Sequence, residues 1–153
     1  MDSSKLGDIE TKVGGTITTN RNSTVLSIKP ENLREVCKLV ASELPDFYHL
    51  TTITGVDEGV DITLYYHFWH SKDFLSLKTT VPKDKPTIAS VSDILPSSLL
   101  YEAELQDMLG IVFEGNPMKG RKLLLPDSYP AEAPPPLRKE ADPEKIRKMM
   151  ELE

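Results

Sequence analysis

Two hydrophobic periods predict helices and strands in the part of the chain before residue 114. Apolar residues three or four positions apart indicate the buried face of a helix, whereas strict alternation indicates a half-buried strand. Residues 31–44 have the helical period, with Pro30 in the first turn and Pro45 after the end, positions that tolerate proline. The predicted apolar face consists of Leu33, Val36, Cys37, Val40 and Leu44.

The alternating period predicts the strands of a sheet. Residues 13–19 and 24–29 are rich in Thr, Val and Ile, and the polar residues between them predict a hairpin. Residues 47–56, 60–69 and 74–82 predict the remaining strands. The alternation is clearest within 60–69, where Ile62, Leu64, Tyr66 and Phe68 alternate with Asp61, Thr63, Tyr65 and His67.

A second helix is predicted after Pro96, Ser97 and Ser98. It runs to about Leu109, because Gly110 suits the left-handed residue that ends many helices. Helices packed against one antiparallel sheet form an α+β fold. We therefore predict an α+β globular domain over residues 1–113, in which residues 1–13 are polar and form only a short, frayed element. The second helix would have an apolar face of Tyr101, Leu105 and Met108, and a polar remainder of Glu102, Glu104, Gln106 and Asp107.

Residues 114–153 have a different composition and are predicted to form an extended, proline-rich segment that docks on a partner. Proline recurs throughout 117–136 and disfavours both helix and central strand. The segment nevertheless contains leucines at 123–125 and 137, which a solvated linker would avoid. Asp142 and Pro143 predict the N-terminus of a short helix at the end of the chain.

The reach of this segment leaves two arrangements open. Residues 114–136 would span about 75 Å if extended, about twice the diameter of a domain the size of 1–113. The segment would therefore wrap around its own domain or run over a partner. Exposed leucines promote aggregation, which favours the partner. The predicted partner-binding residues are Leu123, Leu124, Leu125, Pro126, Tyr129, Pro135, Pro136, Leu137, Arg138 and Lys139.

Composition narrows the classes of function. The net charge of −6 disfavours non-specific binding to nucleic acid. No apolar run is long enough to predict a transmembrane helix, and the N-terminus lacks the pattern of a signal peptide. The single cysteine, Cys37, leaves no intrachain disulfide framework and no all-cysteine cluster site.

Possible metal ligands lack the geometry of a site. His67 and His70 are three apart on a strand, so they face opposite sides and cannot chelate one ion. Asp57, Glu58 and Asp61 lack the spacing of a calcium-binding loop and fit a solvated hairpin turn. We therefore predict no metal site and no bound cofactor in this chain.

No catalytic site is predicted either. Glu104 and Asp107 share a helical face and could transfer protons, although a solvated or cation-paired face is the commoner arrangement. Phosphate-binding loops, dinucleotide fingerprints and nucleophile elbows are missing from the sequence.

Ordered motifs run from the second helix into the proline-rich segment. They are YEAELQDMLGI at 101–111, then Phe113, Gly115 and Pro117, RKLLLPD at 121–127 and PLRK at 136–139, with upstream matches at 50–57 and 65–67. This series resembles the 30 kDa subunit family of respiratory complex I. In that family a Glu-Arg-Glu helix leads to a Gly-His-Pro turn, an Arg-Arg step, a Leu-Leu-Pro run and a Pro-Leu-Arg-Lys segment.

The departures from that pattern indicate a branch of the family. Ala103 replaces the arginine of the helix, Asn116 replaces the histidine of the turn, and Ala133–Pro136 replaces a Gly-His. One further residue lies between Pro117 and Arg121. The chain is thus more similar to relatives in archaeal membrane-bound hydrogenases and ferredoxin-dependent sulfane reductase complexes.

The resemblance implies a non-catalytic assembly subunit in the peripheral arm of a membrane-bound complex I-like electron-transfer complex, on the cytoplasmic side of the membrane. It implies a hydrogenase-like large subunit and an iron–sulfur small subunit as partners, with membrane subunits contacted indirectly. Iron–sulfur clusters, and nickel–iron in a hydrogenase, would belong to those partners. Arg138 and Lys139 would form charge-assisted bonds to the partner. The alternatives are the equivalent 30 kDa subunit of a NADH/quinone-type complex I, a self-contained enzyme and a stand-alone adaptor.

Overall fold

The computed structural model describes residues 3–47 and 49–151, so predictions that include residues 1, 2, 48, 152 and 153 lie partly outside the described residues. The helices are α1 (Ser3–Val13), α2 (Leu33–Glu43), α3 (Ser98–Leu109) and α4 (Pro143–Met149), and 3-10 turns span Pro30–Asn32 and Pro45–Phe47. The strands are β1 (Thr16–Asn20), β2 (Ser23–Ser27), β3 (Leu50–Asp57), β4 (Asp61–His70), β5 (Asp73–Pro82), β6 (Thr87–Ala89) and β7 (Val112–Glu114).

The main sheet has five strands in the order β1-β2-β5-β4-β3. Its neighbours are antiparallel except for β2 and β5, which run parallel. A second, two-stranded sheet pairs β6 and β7, again in parallel. The α+β class is confirmed, but the prediction of a purely antiparallel sheet is wrong. Alternation along a strand reports which face is buried and does not identify the neighbouring strand.

The core lies between one face of the main sheet and three helices. The predicted apolar face of α2 is buried, and so are the four alternating apolar residues of β4, Ile62, Leu64, Tyr66 and Phe68, as predicted. The prediction of a frayed N-terminal element is wrong, because α1 buries Leu6, Ile9 and Val13 in the same cluster. These residues are spaced by three and four, so they line one face of an otherwise polar helix.

Helix α3 packs closely on β3 at Gly55. A Cβ atom at this position would overlap Leu109 Cδ1 and would lie 3.2 Å from Leu105 Cδ2. The helix ends at Gly110, whose φ of +67° confirms the predicted left-handed residue. Close packing at Gly55 therefore fixes the position of the last turn of α3 over the sheet.

Residues 115–142, here called the strap, contain turns and no strand. Several backbone N–H groups donate to the carbonyl three residues earlier, among them Arg121 to Met118 and Tyr129 to Pro126. The prediction of an extended segment is therefore wrong. The prolines occupy successive reverse turns. The predicted cap of α4 is confirmed, since the Asp142 side chain accepts hydrogen bonds from backbone N–H groups of the first turn.

No helix among the described residues has the length and apolar content that a bilayer crossing requires.

We expect Gly55→Ala to lower the free energy of unfolding by about 1–3 kcal/mol, because the added methyl group overlaps Leu109 and overpacks the core. Gly7→Ala is the matched control. Gly7 lies within α1, and an added Cβ there has no neighbour within 4 Å, so we expect up to about 1 kcal/mol of stabilisation. Urea denaturation measures both values, and two effects of the same sign and size would contradict this account of α3 packing.

Candidate protein-docking site

Within the described residues, the part of the strap after residue 119 is attached to the domain at three points. The first consists of side chains in the last turns of α3. The Asp107 Oδ2 atom accepts hydrogen bonds from three consecutive backbone N–H groups, those of Leu123 (2.8 Å), Leu124 (2.7 Å) and Leu125 (3.1 Å). Gln106 accepts from the Gly120 N–H and donates to the carbonyl of residue 121, both at 2.9 Å. Hydrogen bonds to a charged acceptor are stronger than neutral ones, so Asp107 fixes the backbone of 123–125.

Lys122 binds the backbone carbonyls of the residues that follow this turn. Lys122 Nζ donates to the backbone carbonyls of Pro126 (3.1 Å), Asp127 (3.2 Å) and Tyr129 (3.5 Å). Residues 122–129 therefore form a loop in which an anion binds the N–H groups and a cation binds the carbonyls. A strap without helix or sheet has its backbone polar groups satisfied in this way.

The second point of attachment is the C-terminal end of α3. The last carbonyls of a helix have no partner within the helix. Here the N–H of Leu137 donates to the carbonyl of Met108 (2.9 Å), and Arg138 Nε donates to that of Leu109 (2.6 Å). Arg138 Nη1 also donates to the carbonyl of Lys83 (3.1 Å). The guanidinium thus caps the negative end of the helix dipole.

The third point is a buried carboxylate at the turn between β3 and β4. Asp57 is 6% exposed, so the prediction that it belongs to a solvated turn is wrong. It pairs with Lys83 Nζ at 2.7 Å and accepts from the N–H groups of Gly59 (2.8 Å) and Lys139 (2.9 Å). Lys83 also pairs with Glu140 at 2.6 Å. Burial acts to raise the pKa of Asp57, but these hydrogen bonds outweigh it and lower the pKa to about 2.

The predicted partner-binding residues divide into an inward and an outward set. Arg138 is half-buried against its own domain, and Leu125, Tyr129, Pro135 and Pro136 are also half-buried. Pro126 and Lys139 are exposed. Three leucines are exposed as well, by 37% for Leu123, 56% for Leu124 and 59% for Leu137. The strap therefore directs its backbone toward the domain and several leucines toward solvent, and its docking on a partner stays a prediction.

Glu102 is fully buried, although the helical pattern placed it among the polar residues of α3. Its carboxylate accepts hydrogen bonds from Ser90 Oγ (2.5 Å), the Val91 N–H (2.9 Å), Ser98 Oγ (3.3 Å) and Asn116 Nδ2 (2.8 Å). It joins the segment before α3 to the first residues of the strap. Glu102 lies three and seven positions before the buried Leu105 and Leu109. This helical spacing was the sequence signal that could have predicted its burial.

The acid–base pair considered on α3, Glu104 with Asp107, does not assemble. Asp107 is buried and its Oδ2 is occupied by backbone N–H groups, whereas Glu104 is exposed. The two ring nitrogens of His67 lie 2.9 Å from Ser76 Oγ and 3.2 Å from Thr54 Oγ1. The His70 ring packs against Phe47. The described residues contain no group of three or more side chains arranged to hold a metal ion.

We expect Asp107→Ala to accelerate tryptic cleavage after Arg121 and Lys122 about tenfold, because the turn loses the acceptor of three N–H groups and opens more often. Glu104→Ala, an exposed position on the same helix, is the control and should leave the rate unchanged. Mass spectrometry of timed digests identifies the cleaved bonds. Equal rates in the wild type and Asp107→Ala would show that Asp107 does not hold the strap.

We expect the Asp57 contacts to stabilise the fold fully above about pH 4, the pKa of an unfolded aspartate, and to be lost as the pH falls to about 2. The melting temperature should therefore fall less steeply between pH 5 and pH 2 in Asp57→Asn than in the wild type.

Asp93 provides the control for this titration. Hydrogen bonds from Arg34 lower its pKa to about 2 as well, but it does not contact the strap. Asp93→Asn should flatten the same curve without changing how fast the Lys139 N–H exchanges with solvent, whereas Asp57→Asn should accelerate that exchange. Protection of the Lys139 N–H that is unchanged in Asp57→Asn would contradict the third attachment.

Comparison with known proteins identifies relatives that are similar to this chain in sequence. The chain is 35% identical over 108 residues to the membrane-bound hydrogenase subunit beta of Pyrococcus furiosus, covering 67% of this chain and 61% of that one. It is 32% identical over 111 residues to an F(420)H(2) dehydrogenase subunit of Methanosarcina mazei, covering 70% and 69%. An NADH-quinone oxidoreductase subunit of Salinispora arenicola is 29% identical over 120 residues, covering 74% and 49%. Several curated relatives are therefore considerably longer than the region that this chain matches.

Two solved structures share the fold. A chain of the membrane-bound sulfane sulfur reductase, an archaeal respiratory membrane complex, superposes with a TM-score of 0.81 at 24% identity, covering 98% of this chain and 91% of that one. The trypsin-resistant fragment of Nqo5 superposes with a TM-score of 0.60 at 24% identity, covering 75% and 96%. The model of the family "Respiratory-chain NADH dehydrogenase, 30 Kd subunit" matches residues 26–147, which include α2, the main sheet from β3 to β5, α3 and the strap. The chain belongs to this 30 kDa subunit family.

Proposed function

We propose that this chain is a non-catalytic structural subunit in the peripheral arm of a membrane-bound complex I-like electron-transfer complex of the hydrogenase or sulfane reductase type. In this role the strap and α4 bind a hydrogenase-like large subunit, near an iron–sulfur small subunit. Electron transfer belongs to cofactors of those partners, iron–sulfur clusters and, in a hydrogenase, nickel–iron. The chain lies peripherally, on the cytoplasmic side of the membrane.

The observation that carries this proposal is the arrangement of the strap. Its backbone is bound to the domain by Asp107 and Asp57, and its Arg138 side chain donates to the end of α3. The side chains of Leu124 and Leu137 nevertheless remain more than half exposed. Burying the remaining exposed half of each leucine would contribute about 1 kcal/mol, which the isolated chain leaves unused. A fixed backbone that presents apolar side chains to solvent is the arrangement expected of a binding surface.

The relatives support the same role. Their names describe subunits of hydrogenase, F(420)H(2) dehydrogenase and quinone oxidoreductase complexes. The superposition with the sulfane sulfur reductase chain covers 98% of this chain and thus includes the strap. The match to an NADH-quinone oxidoreductase subunit makes a quinone-type complex the second candidate, and the identity of the co-purified subunits distinguishes the two.

We expect removal of residues 119–153 to release the chain from the complex and leave the domain folded. This deletion keeps Asn116, which bonds to Glu102. The complex is purified from membranes through a tag on this chain, its subunits are identified by mass spectrometry, and circular dichroism reports the fold of the truncated chain. Retention of a hydrogenase-like large subunit by the truncated chain would refute the proposal.

A full-length variant covers the case in which the truncated chain fails to fold. Leu137→Asp places a charge on an exposed strap residue and should also release the large subunit. Leu100→Asp is the matched control, because Leu100 is 52% exposed on α3, close to the 59% of Leu137. Both variants should melt within a few degrees of the wild type.

A further inference from the structure

One exposed apolar pair is held on a backbone that a buried carboxylate fixes. Leu123 and Leu124 are adjacent, are 37% and 56% exposed, and both donate their N–H groups to the same oxygen of Asp107. Val60, at 83%, is more exposed but lies singly on a turn. An adjacent pair on a constrained turn loses little conformational entropy when it enters a pocket, which favours binding.

The exposed charge beside this pair is positive. Residues 118–125 contain Lys119, Arg121 and Lys122 and no acidic residue. Lys119 pairs with Glu114 at 2.6 Å, and Lys122 donates to carbonyls within its own loop. Within residues 3–47 and 49–151, the guanidinium of Arg121 has neither an ion-pair partner nor a hydrogen-bond acceptor, and the residue is exposed. Arginine is enriched among the residues that dominate binding energy at protein interfaces.

We infer that residues 121–125 are a preformed anchor that inserts Leu123 and Leu124 into an apolar pocket of a partner protein, whose rim supplies carboxylates to Arg121. The inference rests on the proposed function and deepens it by specifying the chemistry of the partner surface. Arg138, in contrast, is engaged with the carbonyls of Leu109 and Lys83 and serves the strap itself. A planar guanidinium suits carboxylates because it binds them with two parallel hydrogen bonds.

Two substitutions with matched controls test the two halves of the anchor. Leu124→Ala removes the apolar contact, and Leu100→Ala is its control at nearly equal exposure, 52% against 56%. Arg121→Glu reverses the charge, and Arg21→Glu is its control in the exposed turn between β1 and β2, at the opposite end of β5 from the strap contacts.

The probe is the purified hydrogenase-like large subunit of the same complex, and its Kd for each full-length variant is measured at low and at high salt. We expect both test variants to weaken binding about tenfold or more. The loss in Leu124→Ala should be equal at both salt concentrations, whereas that in Arg121→Glu should be largest at low salt. Both controls should bind like the wild type.

Each other outcome overturns a defined part of the proposal. A loss confined to Leu124→Ala overturns the carboxylate rim, and a loss confined to Arg121→Glu overturns the apolar pocket. Wild-type affinity in both, together with loss of binding in Leu137→Asp, overturns the anchor and leaves the proposed function intact. If the wild-type chain itself fails to bind the large subunit, the proposed function and the anchor are both wrong.

Discussion

The arrangement of the C-terminal part depends on one carboxylate that binds three successive backbone N–H groups. A segment without helix or sheet, in which prolines remove several N–H donors, cannot satisfy its own backbone. Asp107 provides the acceptor for residues 123–125, and Arg138 provides donors to the end of α3. The polar groups of the helix terminus and those of the strap therefore satisfy each other. Without this exchange, the leucines of the strap would have no fixed position from which to bind.

The fold positions this exchange through the packing of α3. Gly55 allows the helix to approach β3 closely, and the left-handed Gly110 turns the chain away at the end of the helix. Glu102 then ties the first turns of the same helix to Ser90 and Asn116. Helix α3 thus joins the sheet on one side to the strap on the other. A change in its packing would be transmitted to the strap through rigid contacts.

The sequence predicted most of the elements whose signals are local, although it missed α1, whose buried residues also have helical spacing. The apolar face of α2, the alternation in β4 and the cap at Asp142 each depend on residues close together in the chain, and all were found. The parallel pairing of β2 with β5 was missed because it depends on strand order, which side-chain alternation does not encode.

The candidate site was only partly predictable for a related reason. The leucines and prolines of the strap identified the segment, but its conformation depends on contacts between distant positions, such as Asp57 with Lys139. Asp107 looks like a solvated helix residue because its donors come from residues 123–125, outside the helical pattern. The helical spacing of Glu102 did indicate burial, but its donors also lie outside the helix, apart from Ser98. The cost of burying a carboxylate is offset only in three dimensions.

The kind of hydrogen-bond donor that each buried carboxylate binds has a consequence for assembly. Within the described part of the chain, Asp107 and Glu102 accept hydrogen bonds from neutral groups, whereas Asp57 pairs with Lys83. A charged partner surface competes with ion pairs, but it does not compete for backbone N–H groups that are already bound to a buried carboxylate. The turn at 121–125 can therefore meet carboxylates of another protein without losing its own conformation. The Asp107 carboxylate that holds the turn is buried, whereas the Arg121 guanidinium is exposed and available to a partner.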